Sequence, residues 1–221
     1  WQRSIYADDQ LRQRVAFSLS QIFVVSTKDA RLLVDPRGVT SYYDTLLTHS
    51  FGNFRDLLEA VTLHPMMGMY LSMLGNEKPD AERNIRPDEN FAREVMQLFT
   101  IGLVELNQDG SVVTDSQGNP VATYDQETIK GFAHVFTGWH YAGRANWWDD
   151  NYDGQSPMEP YEAFHDRGEK MLLNGTVVPA GQNARADLAM ALDNLFNHPN
   201  VGPFIGKQLI QRLVTSNPSA G

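Results

Sequence analysis

The sequence predicts a mainly α fold of about eight helices, with two small β-hairpins and a long irregular aromatic loop. Three observations favour this fold class. Apolar residues recur at helical spacing along most of the 221 residues. Turn-forming residues bound two short pairs of β-prone segments. Strands do not alternate with helices in the way that builds a parallel sheet. We expect a single helical domain over residues 1–221, as a fragment of a longer chain.

Capping residues and apolar spacing place the first two helices. Asp8 or Asp9 caps the first helix, whose buried face is predicted from five apolar residues: Leu11, Val15, Leu19, Ile22 and Phe23. The segment 28–38 contains Asp35-Pro36 and is predicted to be a connection. The second helix follows and includes the apolar residues of 42–47.

A short repeat places the third, fourth, seventh and eighth helices. His64-Pro65-Met66-Met67-Gly68 recurs as His198-Pro199-Asn200-Val201-Gly202. Because Pro disfavours helical geometry in the residue before it, each copy predicts a helix, a bend and a second helix. Asn53 is the predicted cap of the helix before the first copy. The two histidines are expected to bind the last carbonyl groups of the preceding helices, the alternative being a symmetric pair of ligands.

Two hairpins and one loop interrupt the helices. The segment 103–124 follows the fifth helix and is predicted to be a hairpin insertion, before Asp125 caps the sixth helix. A second hairpin insertion is predicted at 171–178, where Asn174-Gly175 is a typical tight hairpin turn. Between the sixth helix and that hairpin lies the long loop 139–166, which is rich in aromatic and acidic residues.

Composition restricts the functional classes. The net charge is −9 with only 18 Lys and Arg, so the basic face that nucleic-acid binding requires is not expected. No run of apolar residues is long enough for a membrane span. The absence of Cys excludes disulfides, thiol catalysis and thiolate metal sites, and it is typical of an exported protein. A periplasmic or extracellular location is therefore expected.

The fifth helix, which begins near Pro87, carries the densest group of polar residues. Glu89 and Arg93 are four residues apart and can pair on one face, next to Asn90. Glu94 lies between amide side chains beside the apolar face, where burial would shift its pKa towards that of a general acid or base. The competing interpretation is an ion pair that fixes helix packing.

A His–carboxylate pair lies beyond the aromatic loop. His165-Asp166 is a residue combination used in proton transfer and in metal binding. Adjacent side chains rarely bond to each other, so each is expected to meet a partner elsewhere, such as Glu94 or His140. The hypothesis that the protein is a hydrolase uses Glu94, Arg93, His165 and Asp166 as the catalytic residues.

The aromatic loop suggests a ligand site. Trp139, His140, Trp147 and Trp148 accompany several carboxylates, and such rings suit stacking against a saccharide. Together with Glu89 and Asn90 they form the predicted ligand-binding set, for a glycan or another exported protein. The alternative is a long loop anchored to the domain by its own aromatic rings.

The same loop resembles part of a calcium-binding loop. Asp149, Asn151 and Asp153 alternate before Gly154, which places side-chain oxygens where a hard cation could collect them. The match ends there, because Pro160 occupies the position at which an EF-hand has Glu. Calcium is a candidate cofactor, and hydrogen-bonded polar turns are the competing interpretation.

Several blocks of the sequence occur in a fixed order: Arg14 to Phe17, Glu89 to Gly102, Phe136-Thr137-Gly138-Trp139, Phe164-His165-Asp166 with Gly168 and Lys170, Gly206 to Leu209, and Arg212-Leu213-Val214. Together they resemble a bacterial family catalogued as domain of unknown function 1800. The resemblance implies export, with longer chains in most members, and no established activity. It singles out Glu89, Asn90, Arg93, Glu94, Thr100, Gly102, Trp139, His165 and Asp166 as recurring residues. The favoured function is a binding or assembly module of a cell-surface or polysaccharide-handling system, and the alternative is a hydrolase.

Overall fold

The computed structural model describes residues 5–218 and confirms the mainly α fold class. Nine helices lie wholly within that range: α1 (Gln10–Ser20), α2 (Ala30–Leu33), α3 (Pro36–Thr48), α4 (Phe54–Leu63), α5 (Pro65–Tyr70), α6 (Asn90–Gln97), α7 (Gln126–Val135), α8 (Ala184–Phe196) and α9 (Val201–Leu213). A single 3₁₀ turn occurs at Glu162–Phe164. None of the helices described combines the length and apolar character needed to cross a bilayer.

Side-chain caps begin most of these helices. The predicted caps Asn53 and Asp125 are confirmed, since each accepts a hydrogen bond from a backbone N–H of its helix. The predicted connection 28–38 was wrong in part, because it contains α2 and the start of α3. Asp35 accepts a hydrogen bond from Gly38 N at 2.9 Å, and Pro36 occupies the first helical position, where its missing N–H costs nothing.

The fifth predicted helix starts later than its sequence indicates. α6 begins at Asn90 instead of Pro87. Asn76 explains the difference, because its side chain accepts a hydrogen bond from Asp88 N and donates one to Asp88 O. Both backbone groups of Asp88 are thereby held outside the helix.

Both copies of the His-Pro repeat form a bend between two helices, although the bends differ in length. One residue, His64, separates α4 from α5, whereas four residues separate α8 from α9. The expected role of the histidines was wrong. The Nδ1 atoms of His64 and His198 accept hydrogen bonds from the backbone N–H groups of Met66 and Asn200, each at 3.2 Å. The imidazoles therefore serve the turn that follows the bend.

Short antiparallel pairs complete the fold. β1 (Trp139–His140) pairs with β2 (Glu159–Pro160), which closes the base of the aromatic loop. β3 (Lys170–Met171) pairs with β4 (Val177–Val178), as expected for the hairpin at 171–178. Its turn has positive φ at both Asn174 and Gly175, which suits a type I′ turn. In 103–124 the strands are reduced to isolated antiparallel bridges, including Val104 to Ala122 and Thr114 to Pro120.

A continuous cluster of buried apolar side chains connects α1 with α9. Its largest fully buried members are aromatic: Phe23, Phe91, Phe99, Phe132, Phe136 and Trp139. α7 packs against α6, α8 and β3. This packing brings the polar face of α6, the end of the aromatic loop and the hairpin at 171–178 to the sides of one helix.

Candidate functional site

The aromatic loop is anchored by two of its tryptophans. Trp139 is fully buried at β1, and Trp147 is 5% exposed. The Trp147 ring stacks on Phe164 with the ring centres 4.3 Å apart and the planes 12° from parallel. Trp148 is 70% exposed and meets the same Phe164 ring edge-on. Of these three predicted ligand-binding residues, Trp148 keeps an exposed ring, whereas Trp139 and Trp147 are used for packing.

His140 holds the loop through a charged neighbour. Its Nδ1 atom lies 2.8 Å from Tyr141 N, and its Nε2 atom lies 3.0 Å from Arg144 Nη1. Burial, assisted by the Arg144 charge, lowers the pKa of His140 to about 4, so the ring is neutral and has one nitrogen that can accept from these donors. Arg144 also donates to the carbonyl groups of Asn151 and Trp147, which fixes the loop's path.

The three residues of the predicted calcium site form turns. Asp149 accepts hydrogen bonds from Ala145 N and Asn151 N, one on each carboxylate oxygen. Asp153 Oδ1 accepts from the two backbone N–H groups that follow it closely, at 2.9 Å each. Within residues 5–218, no three His, Cys, Asp or Glu side chains are grouped as metal ligands. The calcium site stays a prediction.

A cavity of about 500 Å³ lies where the aromatic loop meets the first half of the chain. Its lining comes from α2 and its C-terminal end, from α5 and the turn after it, and from the loop: Arg31, Val34, Asp35, Met69, Leu74, Tyr141 and Tyr152. The volume falls within the range of small-molecule sites, which are mostly apolar with a few oriented polar groups. The sequence did not single out any of these seven residues as a site residue.

The polar groups of the cavity are held in place by neighbours. Arg31 makes two hydrogen bonds to Asp29, at 3.1 and 2.7 Å. Asp35 caps α3 with one oxygen and accepts the Tyr152 hydroxyl with the other. Burial acts to raise the pKa of Asp35, but these hydrogen bonds outweigh it and leave the pKa below its ordinary value. Burial and the Asp35 charge raise the pKa of Tyr152, so its hydroxyl stays protonated.

The polar residues of α6 form a second group. Glu89 binds Arg93 at 3.1 Å and also accepts from Gln126 Nε2 of α7 at 2.8 Å. Arg93 therefore pairs with Glu89 and makes no ion pair with Glu94. Burial raises the pKa of the Glu94 carboxyl, and Arg93 opposes this shift. In the part of the chain described, no hydrogen bond or ion pair joins Glu94 to His165 or Asp166.

His165 belongs to a buried ionic network. Its Nε2 atom lies 3.0 Å from Asp187 Oδ2, and its Nδ1 atom lies 2.9 Å from the carbonyl oxygen of Thr137. Lys170 Nζ donates to the same Asp187 oxygen at 2.7 Å, and Gln182 donates to the other at 3.1 Å. The His165 and Asp187 side chains are inaccessible to solvent, and that of Lys170 is nearly so. The network joins β3 to α8.

Asp166 points away from that network and binds His134 of α7. His134 Nδ1 is hydrogen-bonded to Asp166 Oδ2, and Gly168 N donates to Oδ1 at 2.7 Å. The His134 hydrogen bond lowers the pKa of the Asp166 carboxyl to about 2, and the Gly168 N–H adds to this effect. The structure thus separates the predicted pair, since His165 is buried and Asp166 is half-buried at the surface.

Sequence reasoning missed several partners. His134 reads as a core or boundary histidine, although Gln126, Lys130 and His134 follow at four-residue intervals and share one face of α7. Glu89 bonds to Gln126, so this face continues the polar face of α6. Asp187 gives no sequence signal beyond an acidic residue in the first turn of a helix.

Comparison with known proteins gives one match. The model of a family described as protein of unknown function (DUF1800) matches residues 1–221. No curated protein matches the chain, and no solved structure matches it.

Proposed function

We propose a function on the premise that the chain belongs to the family described as protein of unknown function (DUF1800). This member is an exported saccharide-binding module of a cell-surface or polysaccharide-handling system. Its ligand occupies the cavity between α2, α5 and the aromatic loop. The observation that carries the proposal is the lining of that cavity, where two tyrosine rings face apolar side chains beside Arg31 and Asp35.

The cavity lining suits a sugar because sugars have two kinds of surface. Their C–H faces pack against aromatic rings, whose faces carry partial negative charge. Their hydroxyl groups require oriented donors and acceptors. Tyr141 and Tyr152 provide rings 4.9 Å apart at a 62° angle, and Met69 and Leu74 provide an apolar floor. The remaining Arg31 donors and the Asp35 carboxylate provide the polar contacts.

The charges of the lining favour a neutral sugar. Arg31 already pairs with Asp29, and Asp35 already accepts hydrogen bonds from Gly38 and Tyr152. One cation and one anion line the cavity, so neither an acidic nor a basic sugar gains a net attraction. Trp148, exposed on the same loop, extends the aromatic surface available to a polymer.

Native gel electrophoresis with embedded polysaccharides tests the proposal. Hydroxyethyl cellulose, glycol chitin, xylan and dextran serve as neutral probes. At least one should retard the wild-type protein, and Tyr141→Ala and Tyr152→Ala should abolish the retardation. Phe51→Ala removes an exposed ring outside the cavity and should migrate as the wild type does. Retardation that is unaffected by both tyrosine variants, or absent with every probe, contradicts the proposal.

Calcium is a separate part of the proposal. Asn151 Oδ1 accepts no hydrogen bond within the described residues, so a cation would use it together with the charged Asp153 carboxylate. Thermal unfolding with CaCl₂ and with a chelator tests this. A higher melting temperature with calcium, lost in Asp153→Asn, supports the site, and identical melting curves remove it.

A further inference from the structure

One histidine is both partly exposed and held by a carboxylate. His134 has a side chain 32% exposed, and its Nδ1 atom is bound to Asp166. Because Asp166 is ionised, the hydrogen bond places a proton on Nδ1, and the tautomer with this proton alone has its lone pair on Nε2. No hydrogen bond reaches His134 Nε2 from any residue within 5–218. The free nitrogen is thus the one that faces solvent or a ligand.

The two residues are fixed relative to each other by Thr137. The Thr137 hydroxyl donates to the carbonyl group of His134 at 2.7 Å and accepts from Asp166 N at 2.9 Å. The Gly168 N–H then holds the second oxygen of Asp166. A base whose ring is oriented by a carboxylate, itself held by further hydrogen bonds, is the arrangement used for general-base catalysis.

We propose that His134 is the general base of a carboxylic-ester hydrolase site, with Asp166 as its positioning residue. The inference is independent of saccharide binding in the cavity. It changes the hydrolase predicted from the sequence, because His134 takes the place of the buried His165 as the catalytic histidine.

The surroundings of His134 favour an ester over other substrates. Phosphoryl transfer requires unpaired cations, whereas Arg93 and Lys130 on the same polar face already pair with Glu89 and Glu127. Glycoside hydrolysis requires two carboxyl groups beside the bond, one of them protonated. Asp166 is ionised and bound on both oxygens. Ester hydrolysis can use a single base, which activates a water molecule and then returns the proton to the departing alkoxide.

The reaction balances with ester and water alone. His134 Nε2 accepts a proton from water as the water oxygen bonds to the ester carbonyl carbon. The tetrahedral intermediate then collapses, the bond between that carbon and the alcohol oxygen breaks, and the imidazolium returns the proton to the alkoxide. The Asp166 carboxylate stabilises the imidazolium between these two steps. The products are a carboxylic acid and an alcohol.

Hydrolysis of 4-nitrophenyl acetate by the whole chain tests the inference. His134→Gln should lower kcat/KM by about 10²–10⁴-fold, which is the usual contribution of a general base. Asp166→Asn should lower kcat with little change in KM, and Asp166→Glu should recover part of the loss. The matched control is His49→Gln, which removes another partly exposed histidine and should keep the wild-type rate. A wild-type rate no higher than that of His134→Gln overturns the inference.

The wild-type protein decides the question if His134→Gln does not fold. Diethyl pyrocarbonate modifies accessible histidines, and mass spectrometry measures the modified fraction at His134 and at His49. Loss of hydrolysis in proportion to modification of His134, and not of His49, supports the inference. Hydrolysis that survives complete modification of His134 overturns it.

Discussion

Tyr152 donates its phenolic hydrogen to Asp35, a residue 117 positions earlier in the chain. Asp35 Oδ1 meanwhile accepts from Gly38 N and caps α3. One carboxylate therefore starts a helix and holds the aromatic loop against it. The close approach extends to the backbone, because a Cβ added to Gly154 would lie 2.2 Å from Asp35 Oδ2. The wall of the cavity depends on this contact.

Removing the phenolic hydroxyl should loosen the loop. Tyr152→Phe keeps the ring and deletes the hydrogen bond, which should lower the free energy of unfolding by about 1 kcal/mol. Limited proteolysis should cut 139–166 faster than in the wild type. Tyr6→Phe, at a side chain 82% exposed, is the control and should leave both measurements unchanged. Equal cleavage rates in the two variants would show that Asp35 does not secure the loop.

Removing one charge from the buried network of His165, Lys170 and Asp187 should destabilise the fold far more than removing one charge from a surface ion pair. Asp187→Asn leaves Lys170 buried without a counter-charge, which should cost about 3–5 kcal/mol in urea unfolding. Asp193→Asn breaks the pair with Arg55, in which the Asp193 side chain is 61% exposed, and should cost about 0–1 kcal/mol. If both variants lost a similar free energy of unfolding, this result would contradict the burial of Lys170 and Asp187.

Two helical glycines should respond in opposite ways to alanine. A Cβ at Gly131 would lie 1.9 Å from the carbonyl oxygen of Met171, so Gly131→Ala must push β3 away from α7. We expect a loss of about 3 kcal/mol or more, measured by thermal and urea unfolding. At Gly206 nothing lies within 4 Å of the added atom, and Gly206→Ala should stabilise α9 by about 0.5–1 kcal/mol. If both substitutions destabilise the protein, Gly206 does not have the open surroundings described for it.

Mild acid should destabilise the fold through His64. Burial lowers its pKa from 6.5 to about 4, so between these values the unfolded chain binds a proton that the folded chain does not. The resulting stability is complete above pH 6.5 and is lost as the pH falls towards 4. At pH 5 the loss from His64 should be roughly 2 kcal/mol.

Urea unfolding at pH 7 and pH 5 measures this loss. His64→Asn keeps a side-chain acceptor for Met66 N and removes the titrating ring, so it should lose less stability between the two pH values than the wild type. His49→Asn is the control and should keep the wild-type pH dependence. If His64→Asn loses as much stability between pH 7 and pH 5 as the wild type does, a group other than His64 causes the acid sensitivity.

Local signals predicted the helices well, because caps and apolar spacing act within a few residues. The caps Asn53 and Asp125 were predicted in this way. Asp35-Pro36 was wrongly predicted to lie in a connection, because the same pair of residues can begin a turn or a helix. The hydrogen-bond partners in the candidate site could not be predicted from local signals. Asp166 meets His134 from 32 residues away and His165 meets Asp187 from 22, and only packing of α7, β3 and α8 decides those partners.

Arg55 links the helices before the two copies of the repeat, because it binds Glu59 of its own helix and Asp193 of α8, which lie five residues before His64 and His198. The contact with Asp193 spans 138 residues. During synthesis, α4 leaves the ribosome long before α8, so the part of its surface that α8 covers has no partner in that interval. Contacts of such separation slow folding. That part of the nascent chain therefore stays exposed until α8 emerges.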